Sequence, residues 1–520
     1  MMRRKDEEAG TAAFTGIEPV MSGRDPQGGT LKIRFSPLSM AFLCFTVIST
    51  APSWAGSLST ALYSGGPTTM IFGYLIVAFC SLCGAASLAE MVSIWPTAEG
   101  QIAWTENMAP ENCAGFLRYW VAWLTCSGWI ALTMSAKFIC AVGITAIAAA
   151  CHPDYAPTQW QTALVFWAIA ILAVLTNIFG LRAIPRLNTF TGAVSITVTL
   201  VIVILLFVRG AGNFNSGKFV FTELINRTGY TSNGIVFIIG MVSGAYSIMG
   251  YDSIAHLCEE MYEPAINAPR AMLGSVLISV PAGLLFILAF LFTVKDIDTV
   301  ATQLFPILYV LEQATLSTAG AIVLTVALSS LTAAVASISS QATASRVIWS
   351  FALDGGIPFS RWFTKISSTN HVPVRALLVV CVTEMLLVLI YIGNAPLFNS
   401  ILVLAISLLN LSYAVPISLM LFRGRPSGQL PKAPFRLPRV LGMICNSVAI
   451  VYQVFISIML FLPTYHPVTA GNMNFAVAIF GGFHLLGGIY WFFGGQKRTH
   501  TVHEAKLEAE GEGSEFGAAE

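Results

Sequence analysis

Charge is scarce in this 520-residue chain: Asp, Glu, Lys and Arg together make up 10% of it, against roughly a quarter in soluble domains. A chain so poor in charge cannot cover a water-exposed surface. With 56% hydrophobic residues and a mean hydropathy of +0.74, the apolar excess has to face lipid. An excess of either sign is missing too. The net charge is +1, so nothing in the balance points to a nucleic acid. No Walker A run is present, which argues against an ATP-driven pump. No His/Cys/Asp constellation points to metal catalysis, and no cofactor is expected. The ten cysteines are scattered, mostly through apolar runs. Cys80 and Cys83 form a CxxC that lies mid-membrane without a second pair, so it reads as small-residue packing rather than redox or zinc chemistry.

What the chain does have is long apolar runs. Spans are predicted at about 37–63, 67–95, 115–150, 160–180, 187–208, 234–257, 271–294, 314–346, 374–393, 396–422, 440–463 and 474–494, since about 20 apolar residues cross a bilayer. This is an all-α polytopic membrane protein of twelve helices. With the N-terminus inside, 22 of the 27 Lys and Arg lie on the inner side. Arg209, Lys218, Arg227 and Lys295 fall outside, and Lys137 lies within a span. The asymmetry puts both termini in the cytoplasm, with the plasma membrane as the expected location. The sequon Asn226-Arg227-Thr228 then sits in an outer loop, a candidate glycosylation site. The polar N-terminus and the acidic, Gly/Ala/Glu-rich C-terminus read as disordered tails.

Two spans are interrupted near their middles. The first carries Ser49-Thr50-Ala51-Pro52-Ser53-Trp54-Ala55-Gly56, where Pro52 removes a backbone donor. The sixth carries Gly240, Gly244 and Gly250, then Tyr251-Asp252. Irregular backbone at membrane depth is tolerated only where it is buried in protein or lines a cavity. The broken spans are five apart, an odd number, so the second set of five starts from the opposite side of the membrane. Such an arrangement fits an inverted repeat with the binding site between the breaks. A plain Pro kink with Gly packing is the simpler alternative.

The residues around these breaks carry a resemblance. Ser87-Leu88-Ala89-Glu90-Met91 and Trp95-Pro96-Thr97-Ala98-Glu99-Gly100-Gln101 resemble the signature after helix 2 of the fungal choline/GABA/amino acid permease branch of the amino acid–polyamine–organocation superfamily. Glu99 stands where that branch has Gly, which puts the local turn in question. Gly250-Tyr251-Asp252-Ser253-Ile254-Ala255-His256-Leu257-Cys258-Glu259-Glu260, followed by Ala268-Pro269-Arg270-Ala271, is similar to its helix 6 motif. Tyr63-Ser64-Gly65-Gly66-Pro67 and Asp354-Gly355-Gly356-Ile357-Pro358 fit as well. The resemblance implies a leucine-transporter-like fold, a five-plus-five inverted repeat with two extra helices. The chain would then divide into a tail at 1–35, a first repeat at 36–210, a second at 211–422, helices 11 and 12 at 423–495, and a tail at 496–520.

Breaking a helix exposes N–H groups that can hold a carboxylate and carbonyls that can hold an ammonium. This points to Thr50, Ala51, Ser53 and Trp54 in helix 1 and to Gly244, Ala245, Tyr246 and Gly250 in helix 6. The resemblance implies that the backbone of an amino acid substrate sits there. Asp252 could bind a substrate amine, carry a proton, or hold the break together. Trp54, Trp129, Tyr246 and Tyr251 could cage an ammonium, or simply pack. Asn410, mid-span in helix 10, could face the cavity or cross-link helices.

Lys137, midway along helix 3, has no partner among its sequence neighbours. A buried ammonium either pairs or loses its proton, so Lys137 could stand in for a sodium ion, titrate during transport, or snorkel. Glu384 in helix 9 is a second intramembrane charge. Helix 9 is peripheral in the implied fold, so a Lys137–Glu384 pair is not the expected arrangement. Glu90, Glu259 and Glu260, with Arg346 and Arg270, could form an inner gate. The function expected is a secondary transporter of a small amino acid or amine such as GABA or choline, coupled to protons. A transporter-like sensor usually carries a long folded tail, and a membrane-embedded enzyme needs a histidine or paired carboxylates beside a nucleophile. Neither feature is evident.

Overall fold

In hydrocarbon every backbone polar group has to be satisfied within the protein, and a helix does this segment by segment. The computed structural model describes residues 32–495 apart from 153, 368, 429 and 470. It contains twelve helical spans long and apolar enough to cross a membrane: Pro37–Tyr63, Gly66–Ile94, Ala114–Cys151, Gln159–Phe179, Ile184–Gly210, Asn233–Glu260, Pro264–Thr293, Thr318–Leu353, Val374–Gly393, Ala395–Ser427, Arg439–Met459 and Ala476–Phe493. They are numbered 1 to 12 in chain order. The predicted spans match them one for one, with ends shifted by a few residues, most at the start of span 7 and the end of span 8. The two tails expected from the sequence lie outside the described residues, except for 32–35. That stretch is docked: Arg34 and Phe35 both donate their N–H to the Glu260 carbonyl, at 2.8 and 3.0 Å.

Burial separates core from rim. The most apolar stretches of spans 1 and 10 are 83% and 78% buried, against 17% for span 12, so span 12 lies at the lipid-facing edge. Phe79, Leu172, Phe190, Ile204, Leu386 and Phe492 are large and exposed, as lipid-facing side chains should be. The packing pairs helices five apart: span 2 lies on 7, and 3 on 8. Other contacts recur under the same exchange. Span 3 packs on 10 as 8 packs on 5, and span 1 packs on 7 as 6 packs on 2. A two-residue antiparallel pair, β1 (Ser64–Gly65) with β2 (Ile225–Asn226), ties the end of span 1 to the loop before span 6.

Both interruptions are present. Span 1 divides into 1a (Pro37–Ile48) and 1b (Thr50–Tyr63) at a single residue, Ser49, which is left-handed at φ +46°. The break therefore precedes Pro52, which is accommodated in the first turn of 1b, where its missing N–H costs nothing. Span 6 divides into 6a (Asn233–Tyr246) and 6b (Tyr251–Glu260), the latter wound as a 3₁₀ helix. Residues 247–250 between them are non-helical. The breaks lie against each other, because Thr50 Oγ1 donates to the Ser247 carbonyl at 2.8 Å.

Gly250 closes the second break at φ +90°, and a Cβ there would lie 2.8 Å from Val47 Cγ1 of half-helix 1a. Left-handed backbone and crowding act together. Gly250→Ala should therefore destabilise the fold by about 1–3 kcal/mol, read as a lower melting midpoint in detergent than for the parent chain.

Candidate functional site

The two breaks frame a small cavity. Its walls are Val47, Ile48, Ser49, Pro52 and Ser53 of span 1, Leu132, Ala136 and Ile139 of span 3, Tyr246 and Met249 of span 6, and Ala333, Ala336 and Ser340 of span 8. Its volume is about 30 Å³, room for about two waters at 10–15 Å³ each. The lining offers four hydroxyls, from Ser49, Ser53, Tyr246 and Ser340, and no charged side chain among the described residues. Tyr246 OH is held by Ser135 Oγ at 2.6 Å. Thr50 and Ala51 begin half-helix 1b, so their N–H groups have no carbonyl one turn earlier in their own helix. A larger hollow of about 520 Å³ lies among loop residues such as Arg227, Lys295 and Asp298 and touches neither break.

The predicted site residues separate into those that line this space and those behind it. Ser53 and Tyr246 line it. Thr50 straps the two breaks together. Ala51 and Ala245 are buried in packing, and Gly244 lies against Tyr74 and Val77. The four aromatics do not form a cage. Trp54 packs edge-on against Tyr74 with centroids 5.6 Å apart. Trp129 donates Nε1 to Asp252, and Tyr251 packs on Tyr413 with its hydroxyl facing Gly84. Asn410 is buried with its Nδ2 unpartnered among the described residues.

Asp252 does not face the cavity. It is wholly buried, and its Oδ2 accepts from Gln101 Nε2 at 2.7 Å and Trp129 Nε1 at 3.0 Å. Its Oδ1 accepts from Tyr413 OH at 2.6 Å, and His256 Nε2 lies 3.3 Å from Oδ2. A wholly buried carboxylate with four protein partners is turned to the protein rather than to this cavity. It instead binds half-helix 6b to spans 3 and 10 and to the short helix Gln101–Met108 after span 2. The two motifs that carried the family resemblance thus meet in space. Gln101 and Ala98 from the first touch Asp252, His256 and Glu259 from the second. The turn bearing Glu99 still forms: Gly100 takes φ +56°, and Glu99 reaches Arg118 at 3.2 Å.

Lys137 corrects its expectation. It pairs with Glu384 at 2.5 Å, both side chains wholly buried, and also donates to Gln341 Oε1. Span 9 is largely peripheral, yet this one carboxylate turns inward. The ammonium lies behind the cavity wall, since its neighbour Ala136 and Gln341's neighbour Ser340 line the space. The gate pairings differ from expectation as well. Glu90 pairs with Arg425 at the end of span 10, not with Arg346 or Arg270, and Arg270 is exposed. Arg346 grips Glu260 at 2.9 Å, and Arg34 closes on the same carboxylate at 2.8 Å. Glu259 accepts from Ala98 N at 2.9 Å. Asn226 is exposed, but its Nδ2 donates to the Tyr230 carbonyl at 2.6 Å and its sequon partner Thr228 is buried.

Sequence reading missed His256, Gln101, Tyr413, Gln341 and Arg425 as partners. The available signal was a polar side chain inside an apolar run, and for His256 its position four residues after Asp252. Removing one member of a buried ion pair strands the other. Lys137→Met should cost about 3–5 kcal/mol and lower the yield of monodisperse protein. Lys137→Met with Glu384→Leu should recover most of the loss, and melting midpoints of the parent and the two variants would measure it.

Comparison with known proteins gives the lineage. Residues 35–483 match the amino acid permease family model. The chain is 30% identical over 463 residues to the choline transporter of Saccharomyces cerevisiae, covering 88% of this chain and 81% of that one. It is 29% identical to the swainsonine transporter of Arthroderma benhamiae, covering 96% and 100%. Against the GABA-specific permease of Saccharomyces cerevisiae the identity is 26%, covering 89% and 81%. The chain, with its twelve spans and paired helix breaks, belongs to the amino acid permease family, in the fungal choline/GABA/amino acid branch of the amino acid–polyamine–organocation superfamily, and it is a membrane transport protein rather than an enzyme.

Proposed function

We propose that this protein is a secondary active permease that carries a small amino acid or amine by alternating access, driven by a proton gradient. The observation that carries this reading is the pair of helix breaks facing each other across a cavity at the centre of the bundle. Unwound backbone supplies what a zwitterion or amine needs without a fixed counter-charge. First-turn N–H groups of 1b suit a carboxylate, and the carbonyl ends of 1a and 6a suit an ammonium. An uncharged lining suits a substrate that brings its own charges. The relatives' names, choline and GABA transport among them, support a nitrogenous substrate.

The recurrence of contacts between helices five apart supports 36–210 and 211–422 as inverted repeats, with 423–495 adding two helices. On the basis of the Lys/Arg asymmetry both termini are cytoplasmic, with the plasma membrane as the working location and a vacuolar or other internal membrane as the alternative. Arg34, Glu260 and Arg346 then form the inner closure, joining the segment before span 1 to the ends of 6b and span 8. The β1–β2 pair and the loop around Asn226 form the outer cover, and a glycan on Asn226 would have to displace its bond to Tyr230. With both ends closed and room for two waters, the conformation is an occluded one that must open for substrate to enter.

Labelled amino acids, GABA and choline should be tested for uptake in a transport-deficient host. One class should accumulate, and collapsing the proton gradient should abolish the accumulation. Ser340→Phe and Ala336→Phe, which fill the cavity, should each abolish uptake while the protein still reaches the membrane. Undiminished uptake by both would place the route elsewhere.

A further inference from the structure

Helix 6b carries a histidine whose two ring nitrogens are both committed. His256 is wholly buried. Its Nδ1 lies 2.9 Å from the Ala98 carbonyl, and its Nε2 lies 3.3 Å from Asp252 Oδ2. A carbonyl oxygen only accepts, so Nδ1 carries a hydrogen. In a neutral imidazole Nε2 would then be a bare acceptor facing a carboxylate oxygen. One more proton is needed to turn that approach into a hydrogen bond. Oδ2 also receives the indole N–H of Trp129 at 3.0 Å and Gln101 Nε2 at 2.7 Å. An indole N–H can only donate, so Oδ2 already accepts from two N–H groups, and a proton on Nε2 adds a third donor without asking Oδ2 to donate as well.

We infer that the His256–Asp252 pair is the binding site for the transported proton, held as an imidazolium–carboxylate pair that locks half-helix 6b in the occluded conformation. This rests on the proton-driven reading above and names the site within it.

The charge balance supports the assignment. As an ion pair the two groups are neutral overall. If Nε2 loses its proton, a carboxylate stays buried with only neutral partners: Gln101, Trp129 and Tyr413. Charges on the packed elements are engaged elsewhere. Glu260 is held by Arg34 and Arg346, and Glu90 of span 2 by Arg425. Glu259 receives the Ala98 N–H, at the residue whose carbonyl holds Nδ1. Tyr251, Tyr413 and the Cys44 thiol of 1a complete the titratable surroundings, and Cys44 donates to the Tyr251 carbonyl at 3.6 Å. An uncompensated buried carboxylate is costly, so losing the proton favours a conformation in which 6b moves and Asp252 meets water. Because 6b continues from Met249 of the cavity wall through Gly250, its movement shifts that wall. Loading is the addition of a proton from one aqueous phase to the Nε2 lone pair. Release returns that proton to the other phase, and the ring becomes neutral.

His256→Gln keeps a donor that can face Asp252 but cannot titrate. In vesicles reconstituted with the full chain and the substrate that the uptake panel identifies, this variant should lose proton-driven accumulation and keep exchange of internal for external substrate. Accumulation equal to that of the parent would overturn the assignment while leaving proton-driven transport standing. If a protonophore leaves accumulation by the parent chain unchanged, the proton-driven reading fails and the assignment with it. Nitrogen NMR of ¹⁵N-histidine-labelled parent protein gives a readout independent of transport and of how the variant folds, with the signal assigned by replacing the other histidines. Both ring nitrogens of His256 should be protonated in the occluded state. A single protonated nitrogen would overturn the stored proton.

Discussion

A helix cannot be interrupted in hydrocarbon unless something else satisfies the backbone it frees. The rest of the architecture follows from that constraint. Spans 1 and 6 are each cut near their middles, so they have to lie among other helices, and spans 2, 5, 7 and 8 pack against them. The cut ends also serve each other, as the bond from Thr50 to the Ser247 carbonyl shows. Ser49 and Gly250 take up the interruptions in left-handed backbone. What remains is a small space walled by hydroxyls and apolar side chains, with helix ends aimed into it.

Charge obeys a similar rule. The intramembrane charges singled out from the sequence each have a partner: Lys137 with Glu384, Glu90 with Arg425, Glu260 with Arg346 and Arg34, Asp252 with His256. Each pair joins different structural elements except the last, which lies within 6b. Pairs between fixed helices act as fasteners. The Asp252–His256 pair differs because both of its members lie on 6b, beside the substrate break, and Asp252 draws its remaining partners from three neighbouring elements. Lys137 and Glu384 tie span 9 to spans 3 and 8 through Gln341, which suits a static scaffold behind the cavity.

Much of this was legible in the sequence, because apolar length and broken periodicity are local signals. The twelve spans, the two breaks and the polar motifs at 95–101 and 250–260 can be read without knowing what packs on what. Pairing cannot. Glu384 lies 247 residues from Lys137, and only the folded bundle brings them together. The aromatic cage failed for a related reason. Tyr251 follows the second break directly and Trp129 lies in span 3, but packing turns Trp129 to Asp252 and Tyr251 to spans 2 and 11. Asp252 was correctly singled out as unusual, and its four partners explain why a carboxylate is tolerated there. The sequence left its role open among three alternatives because partners distant in the chain decide it.

The central claim is that substrate passes through the space between the two breaks. Cysteine placed at Ser340, on the span 8 wall, tests it most directly. In the parent chain the ten native cysteines set the background of modification by a membrane-impermeant thiol reagent. Ser340→Cys should react above that background when the transporter is free to cycle, and saturating substrate should protect it. Reaction no greater than background, or reaction that substrate does not slow, would contradict the account.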